Sequence, residues 1–191
     1  MVLTKGQKAG VATLVVVTIL GGIALIRKLA KAAPPPVEFT IEGQVNLQGR
    51  PDPPDLSWIT PLTVWFFQGG AVVRTENVTT DDEGRFTITN VTPGTYDIGV
   101  KSPRALSNLV TGIDVSGTTY IDFGTLREGD ADNDDAVAMS DYALLYTAYG
   151  SVPGDPNWND NCDFNRNGAV ELGDYALLYD NYGQTGDCYI A

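Results

Sequence analysis

One stretch of this 191-residue sequence occurs twice, and the two copies start 33 residues apart. Residues 130–150 read DADNDDAVAMSDYALLYTAYG and residues 163–183 read DFNRNGAVELGDYALLYDNYG, with eleven of 21 positions identical. In each copy an oxygen-rich segment is followed by an apolar, tyrosine-rich segment that suits a helix. The repeat therefore predicts two copies of one loop–helix unit.

The oxygen-bearing side chains of each copy fall at positions 1, 3, 5 and 12. They are Asp130, Asp132, Asp134 and Asp141 in the first copy, and Asp163, Asn165, Asn167 and Asp174 in the second. This is the spacing of an EF-hand-type calcium loop, in which position 7 supplies a backbone carbonyl, here from Ala136 and Ala169. Position 8 is Val137 or Val170, which predicts that each loop packs against a core. The sequence thus predicts two bound Ca²⁺ ions.

The two loops differ at positions 6 and 9. Position 6, where glycine is usual, is Gly168 in the second loop and Asp135 in the first. We expect Asp135 to adopt the left-handed conformation, which aspartate tolerates better than most residues. Position 9 is Glu171 in the second loop and Ala138 in the first. The first loop has more negative charge, whereas the second has the glycine that suits the turn at position 6. The sequence therefore does not rank their calcium affinities.

Neither loop is preceded by a helical pattern, since residues 125–129 read TLREG and residues 157–162 read NWNDNC. A calcium loop with an exit helix, duplicated, resembles the dockerin module, and the resemblance covers residues 127–191. It implies two calcium-bound motifs related by a pseudo-twofold and a helix face that binds a cohesin, the partner module of extracellular assemblies. The residues at that face are Met139, Ser140, Tyr146, Thr147, Leu172, Gly173, Tyr179 and Asp180. The Ser/Thr pair frequent at positions 10 and 11 of dockerins is absent.

The tyrosines of the repeats form helical stripes. Tyr142, Leu145, Tyr146 and Tyr149 are spaced i, i+3, i+4, i+7, and the second copy repeats the pattern from Tyr175. Such a stripe either packs the two helices together or forms an exposed binding face. Both interpretations remain open.

The only cysteines are Cys162 and Cys188, which flank the second loop and helix. In an exported protein this placement predicts a disulfide that ties the C-terminus to the start of that motif.

The N-terminal segment is apolar and flanked by basic residues. Residues 10–26, GVATLVVVTILGGIALI, contain no charge, and residues 1–33 carry five Lys or Arg and no acid. Residues 1–31 are predicted to form a transmembrane-type helix that anchors the protein in a membrane. A cleaved signal peptide with a site near Ala30–Ala32 and a pilin-like assembly helix are the alternatives. Residues 32–37, AAPPPV, suit a stiff linker.

Residues 38–126 change to the period of β-strands. Short stretches such as EFTIEGQVNL and GRFTITNV alternate apolar and polar residues, which predicts an antiparallel β-sandwich of about seven strands. Residues 79–102 resemble the carboxypeptidase regulatory-like, transthyretin-like sandwiches. The matching positions are Asp82, Gly84, Phe86, Pro93, Gly94 and Tyr96. Gly84 suits a hairpin position with positive φ.

Aromatic residues of this domain could form a sugar-binding platform or fill the core. We expect Trp65 and Phe67 to share the core face of a strand, with Phe66 on the other face. Trp58, in a proline-rich loop, is a candidate for ligand contact. Asn77 and Asn90 each begin an NVT triplet, a possible glycosylation site.

Charge and composition exclude several functions. Residues 127–191 carry thirteen acids and two bases, a net charge of −11, so nucleic-acid binding is not expected. Histidine is absent, and no catalytic constellation is present, so we expect a non-enzyme.

The sequence as a whole predicts a multidomain, membrane-anchored extracellular calcium-binding protein. Its function would be assembly or attachment, with a cohesin-like protein or a surface polysaccharide as partner and residues 10–26 in the membrane. The alternative is a structural subunit of a surface filament that binds copies of itself through the apolar helix.

Overall fold

The computed structural model describes residues 37–188 and, nearer the N-terminus, the strands at 15–20 and 23–28. The chain divides into two compact units, Met1–Pro36 and Val37–Ala191.

In the first unit, strands β1 (Val15–Leu20) and β2 (Ile23–Lys28) pair antiparallel, with Leu20 opposite Ile23. The predicted helix over residues 10–26 is therefore wrong for the residues in these strands. The physical reason is local: residues 15–19 are five consecutive β-branched residues, which favour extended backbone, and Gly21-Gly22 separates the strands in the sequence. The filament alternative relied on the same helix.

The remaining residues of the predicted anchor, and residues 32–36 of the predicted linker, lie outside the described residues. A search of the described residues for a helix long and apolar enough to cross a membrane found none.

The second unit begins with seven strands, as predicted. They are β3 (Phe39–Leu47), β4 (Pro61–Gln68), β5 (Ala71–Thr79), β6 (Arg85–Val91), β7 (Gly94–Lys101), β8 (Asn108–Val115) and β9 (Thr119–Leu126). One sheet has the order β6-β3-β9 and the other β5-β4-β7-β8. The pairs are antiparallel except β3 with β9, which is parallel. The fold is a β-sandwich, and a 3-10 turn at Leu56–Trp58 precedes β4.

The sandwich core comes from alternate residues of both sheets. Phe86 of β6 stacks on Phe123 of β9, and Tyr96 of β7 packs edge-on against Phe66 of β4. Gly84 has φ +79°, as predicted for its hairpin position. An apolar core between two sheets is the main source of stability for such a domain.

The structure reverses the predicted facing of β4. Phe66 is fully buried, whereas Trp65 and Phe67 lie on the opposite face and are half-buried. The sequence Trp-Phe-Phe is apolar in both phases of a period-2 pattern, so only the tertiary structure selects the phase. Trp58 is also buried, and its Nε1 donates to the carbonyl of Pro51 at 2.8 Å, so it is part of the fold and not an exposed platform.

Two helices follow the sandwich, α1 (Met139–Ala148) and α2 (Leu172–Asn181), at the two positions that the repeat predicts. A 3-10 turn at Asp160–Cys162 precedes the second repeat, and no α-helix enters either loop within residues 37–188. A second apolar cluster lies under the helices and loops. It contains Leu106, Ala131, Val137, Leu145, Ala148, Cys162, Phe164, Val170 and Leu178. Leu106 belongs to the β7–β8 connection, so this cluster joins the helical part to the sandwich.

Candidate metal centre

The two loops at 130–141 and 163–174 have the same backbone conformation. In the first, Asn133 and Asp135 have φ of 64° and 68°; in the second, Arg166 and Gly168 have φ of 60° and 86°. These are positions 4 and 6 of each loop, and both lie in the left-handed region that most side chains avoid. Asp135 therefore adopts the glycine-like conformation that the sequence predicts for position 6.

Position 1 of each loop closes the turn in the same way. The Asp130 carboxylate accepts hydrogen bonds from the backbone N–H groups of Asp134 and Asp135, both at 3.0 Å. The Asp163 carboxylate accepts from Asn167 and Gly168 at 3.1 and 3.0 Å. Both aspartates are buried.

Position 12 reaches back across each loop. Asp141 accepts from the N–H groups of Ala131, Asp132 and Ala138 at 2.7, 3.1 and 2.8 Å. Asp174 accepts from Asn165 and Glu171 at 3.1 and 2.9 Å. Each carboxylate is fully buried and comes from the first turn of the exit helix.

The two repeats are also paired reciprocally. Val170 of the second loop exchanges backbone hydrogen bonds with Gly150 and Ser151, which follow α1, at 2.8 and 3.0 Å. Val137 of the first loop exchanges them with Gly183 and Gln184, which follow α2, at 2.8 and 2.9 Å. The partners are again 33 residues apart, and both valines are buried as predicted. Each loop is thus held by the other repeat.

The first loop has the geometry to hold a cation. Asp130, Asp132 and Asp134 each offer a carboxylate oxygen, and these oxygens lie within 4.8 Å of one another. Two oxygens on opposite sides of a Ca²⁺ ion are about 4.8 Å apart, because each Ca–O distance is about 2.4 Å. In the second loop Asn165 and Asn167 offer amide oxygens at the equivalent positions, which are also calcium ligands.

The electrostatics favour a cation at both loops. Burial raises the pKa of Asp130, although the Lys101 ammonium opposes the shift. Burial also raises the pKa of Asp141 and of Asp174, and the neighbouring carboxylates of Asp132 and Asp163 add to the respective shifts. A cation among these carboxylates would offset the cost of burying their charge.

The outer surface of α1 and α2 carries a row of tyrosine rings. Tyr142 stacks on Tyr146 and Tyr175 on Tyr179, with centroids 6.3 and 6.1 Å apart. Tyr142 and Tyr175 meet edge-on at 6.4 Å and join the two pairs. We call these four residues the tyrosine row. The buried member of each stripe is a leucine, Leu145 or Leu178, so the tyrosines contact one another and remain exposed.

The eight residues expected at a partner face are all exposed. Met139 and Leu172, at position 10, are 64 and 68% exposed, and Tyr146 and Tyr179, at position 17, are 75 and 68% exposed. Whether they contact a partner stays a prediction.

The structure does not contain the predicted disulfide: Cys162 and Cys188 are both free and buried. Cys162 lies in the apolar cluster under the helices, whereas the Cys188 thiol contacts the carbonyl of Asn108 at 3.4 Å. Burial raises the pKa of Cys162 to about 12 and that of Cys188 to about 11. The two cysteines flank the same motif in the sequence, but in the folded chain they pack against different residues.

The two possible glycosylation sites are exposed. Asn77 accepts a hydrogen bond from the Thr63 hydroxyl at 3.2 Å, and Asn90 has φ 59° near the end of β6. Their modification stays a prediction.

Sequence reasoning missed the residues of the β7–β8 connection that contact the first loop. Lys101 forms an ion pair with Asp130 at 2.5 Å, and Ser107 donates two hydrogen bonds to Asp135. The segment KSPRALSN carries no sequence signal for these long-range contacts.

Comparisons with known proteins show the fold. No protein-family model and no curated protein sequence matches the chain. A solved structure of an N-terminal interface mutant of the type II Cohesin-X-Dockerin complex from Acetivibrio cellulolyticus contains a chain that is 21% identical, with a TM-score of 0.64. A solved structure of a C-terminal interface mutant of the same complex contains a chain that is 22% identical, with a TM-score of 0.61. Each alignment covers 78% of this chain and 97% of the other. At this level of identity the similarity establishes a shared fold.

Proposed function

We propose that this protein is a non-catalytic, calcium-dependent assembly protein that acts outside the cell or at its surface. Two Ca²⁺ ions occupy the loops at 130–141 and 163–174, and the exposed face of α1 and α2 docks a protein partner. The observation that carries the proposal is the loop hydrogen-bond network, which recurs at a shift of 33 residues.

The repeated network supports calcium over a merely solvated acidic loop. The side-chain oxygens at positions 1, 3, 5 and 12 accept hydrogen bonds from backbone N–H groups of their own loop in both copies, although positions 3 and 5 differ in charge. A solvated loop has no reason to collect buried carboxylates, whose charge is costly without a cation. Oxygen donors without sulfur or imidazole select a hard cation, and Ca²⁺ accepts the flexible geometry of such a loop.

The comparisons support a dockerin-like identity for the helical part. The alignments cover 78% of 191 residues, about 149, whereas only 126 residues precede Arg127. At least about 23 of the aligned residues therefore lie within residues 127–191. The matched chains come from a complex whose title names cohesin and dockerin modules, which agrees with the resemblance in residues 127–191.

The surface of the helices supports a protein partner. The tyrosine row, Met139 and Leu172 are all exposed, and tyrosine is one of the residues that most often anchor a protein interface. The net charge of −11 over residues 127–191 favours a partner with Lys and Arg around its binding site.

Calcium titration of the full chain tests the metal. We expect two sites by isothermal titration, one after Asp130→Ala and one after Asp163→Ala. Glu42→Gln, which removes an exposed carboxylate of β3, serves as the charge control and should keep two sites. A chain that binds no calcium, or a Glu42→Gln variant as deficient as the loop variants, would refute the proposal.

Affinity capture tests the docking face. The calcium-loaded chain should retain a protein from cell-surface or culture-medium fractions and release it when a chelator is added. The double variant Tyr146→Ala/Tyr179→Ala, in which both loops are intact, should lose it. Equal capture by the double variant would exclude this face.

A further inference from the structure

The two loops differ in what surrounds position 6. At Gly168 a Cβ atom would meet nothing within 4 Å, so this side of the second loop is open. At the equivalent position of the first loop, Asp135 is 7% exposed and its carboxylate has protein partners on both oxygens. The same backbone conformation therefore faces solvent in one loop and a packed interface in the other.

The partners of Asp135 belong to the sandwich. The Ser107 backbone N–H donates to Oδ1 and the Ser107 hydroxyl donates to Oδ2, both at 2.7 Å. Ser107 is fully buried and directly precedes β8. Hydrogen bonds to a buried carboxylate are among the stronger ones in proteins.

A second contact from the sandwich reaches position 1 of the same loop. The Lys101 ammonium, at the end of β7, lies 2.5 Å from Asp130 and 3.8 Å from Asp135. It also donates to the carbonyl of Ala105 at 2.8 Å, so its position is determined by the β7–β8 connection. Both ends of the first turn of the loop are thus bonded to the sandwich.

The C-terminal segment completes this junction. Gly186 N–H donates to the carbonyl of Asp135, and Cys188 N–H donates to the Ser107 hydroxyl, both at 2.8 Å. Ser107 therefore joins the sandwich, the first loop and the chain segment after α2.

The second loop lacks this attachment in the described structure. Asp163 accepts hydrogen bonds from its own loop, and the nearest sandwich ion pair, from Arg104, goes to Asp160, which precedes the loop and is 57% exposed.

We propose that Asp135 is a positioning residue that anchors the first calcium loop to the sandwich through Ser107. Calcium in the first loop, and not in the second, then strengthens the contact between the first loop and the sandwich. The inference rests on the proposed calcium function. It explains why aspartate stands where glycine relieves backbone strain: the hydrogen bonds of its carboxylate offset the cost of the left-handed conformation.

Single-site chains allow the test. Asp163→Ala leaves the first loop to be titrated alone, and Asp130→Ala leaves the second. Ser107→Ala removes the hydroxyl without changing charge, and Ser116→Ala, an exposed serine of the sandwich, is its matched control. In the full chain, Ser107→Ala should weaken calcium binding about tenfold in the Asp163→Ala background and leave it unchanged in the Asp130→Ala background. Ser116→Ala should change neither.

Hydrogen exchange gives a second readout that needs no substitution at Ser107. Calcium should slow exchange of the Ser107 and Gly186 amides in the Asp163→Ala chain and leave them unchanged in the Asp130→Ala chain. Equal effects in the two backgrounds, or none, would overturn the inference. Two backgrounds that bind no calcium at all would instead refute the proposed function.

Discussion

Replacing Asp141 by alanine should damage the protein in two separable ways. Its carboxylate accepts three backbone hydrogen bonds and is the proposed position-12 calcium ligand of the first loop. The first role operates without calcium and the second only with it, so one substitution measured in both conditions tests both.

The magnitude follows from the surroundings of the three donors. Ala131 is buried and Ala138 half-buried, while Asp132 is exposed and its N–H can bond to water. Two largely buried N–H groups without acceptors cost about 2–6 kcal/mol. The raised pKa of Asp141 shows that burying its charge is itself costly, so the net loss without calcium is about 2 kcal/mol. For a unit of this size that lowers Tm by about 4–8 °C.

With calcium the loss should increase. An ion present at a hundred times its dissociation constant stabilises the folded state by about 2.7 kcal/mol, and the variant forgoes this at the first loop. Asp141→Asn keeps one acceptor oxygen but loses charge and bidentate ligation. In chelator its Tm should be closer to that of the wild type than the Tm of Asp141→Ala is. Like Asp141→Ala, it should lack the increase in Tm that calcium binding at the first loop gives the wild type.

Thermal melts in chelator and in excess calcium provide the assay, with Asp174→Ala as the equivalent change in the second loop and Asp122→Ala as an exposed control. If Asp141→Ala melts like the wild type in chelator, the hydrogen-bond reasoning fails. If Asp141→Asn keeps the full calcium increment, position 12 is not a ligand.

Three further predictions concern the thiols, the core and pH. Burial raises the pKa of Cys162 to about 12 and that of Cys188 to about 11, so both thiols should resist alkylation at pH 8 in the native chain. In denaturant without reductant the chain should take two labels, one on each cysteine. An unlabelled denatured chain would indicate a disulfide. Phe66→Ala should lower the free energy of unfolding in urea by about 3–5 kcal/mol, and Trp65→Ala should lower it clearly less, because only Phe66 is fully buried. The opposite order would support the prediction from the sequence that Trp65 faces the core. The buried loop carboxylates with raised pKa bind protons more readily in the folded state, so their stabilising contribution is complete below the unfolded-state pKa and is lost as pH rises through the folded-state pKa. The calcium-free chain should therefore gain stability as pH falls from neutrality towards the usual pKa range of aspartate. Over the same range the calcium-loaded chain should lose the extra stability that calcium provides, since the ion requires charged ligands. Parallel curves of Tm against pH with and without chelator would contradict this.

The loops could be predicted closely because their interactions are local. The hydrogen bonds that Asp130 and Asp141 accept from backbone N–H groups span at most ten residues, and positions 4 and 6 carry the left-handed φ values that the turn requires. Helix positions followed for the same reason, because each helix begins at position 10 of its loop.

Three other predictions differ from the structure. The run Trp65-Phe66-Phe67 is apolar in either phase, so the opposing sheet selects Phe66 for the core. In residues 15–28 the hydrophobicity is equally consistent with a helix or with paired strands, and the described pairing is the strand form. Cys162 and Cys188 flank the same motif in the sequence, but tertiary packing places each among different neighbours.

The sequence by itself determined the paired oxygen-rich loops, their exit helices and the seven-stranded sandwich, because short-range hydrogen bonding and period-2 patterning encode them. Only the tertiary structure decided that the sandwich and the first loop are bonded through Lys101, Ser107 and Asp135. Those contacts join residues 28 or more positions apart, and no local pattern encodes a contact that forms only when two separate cores pack together.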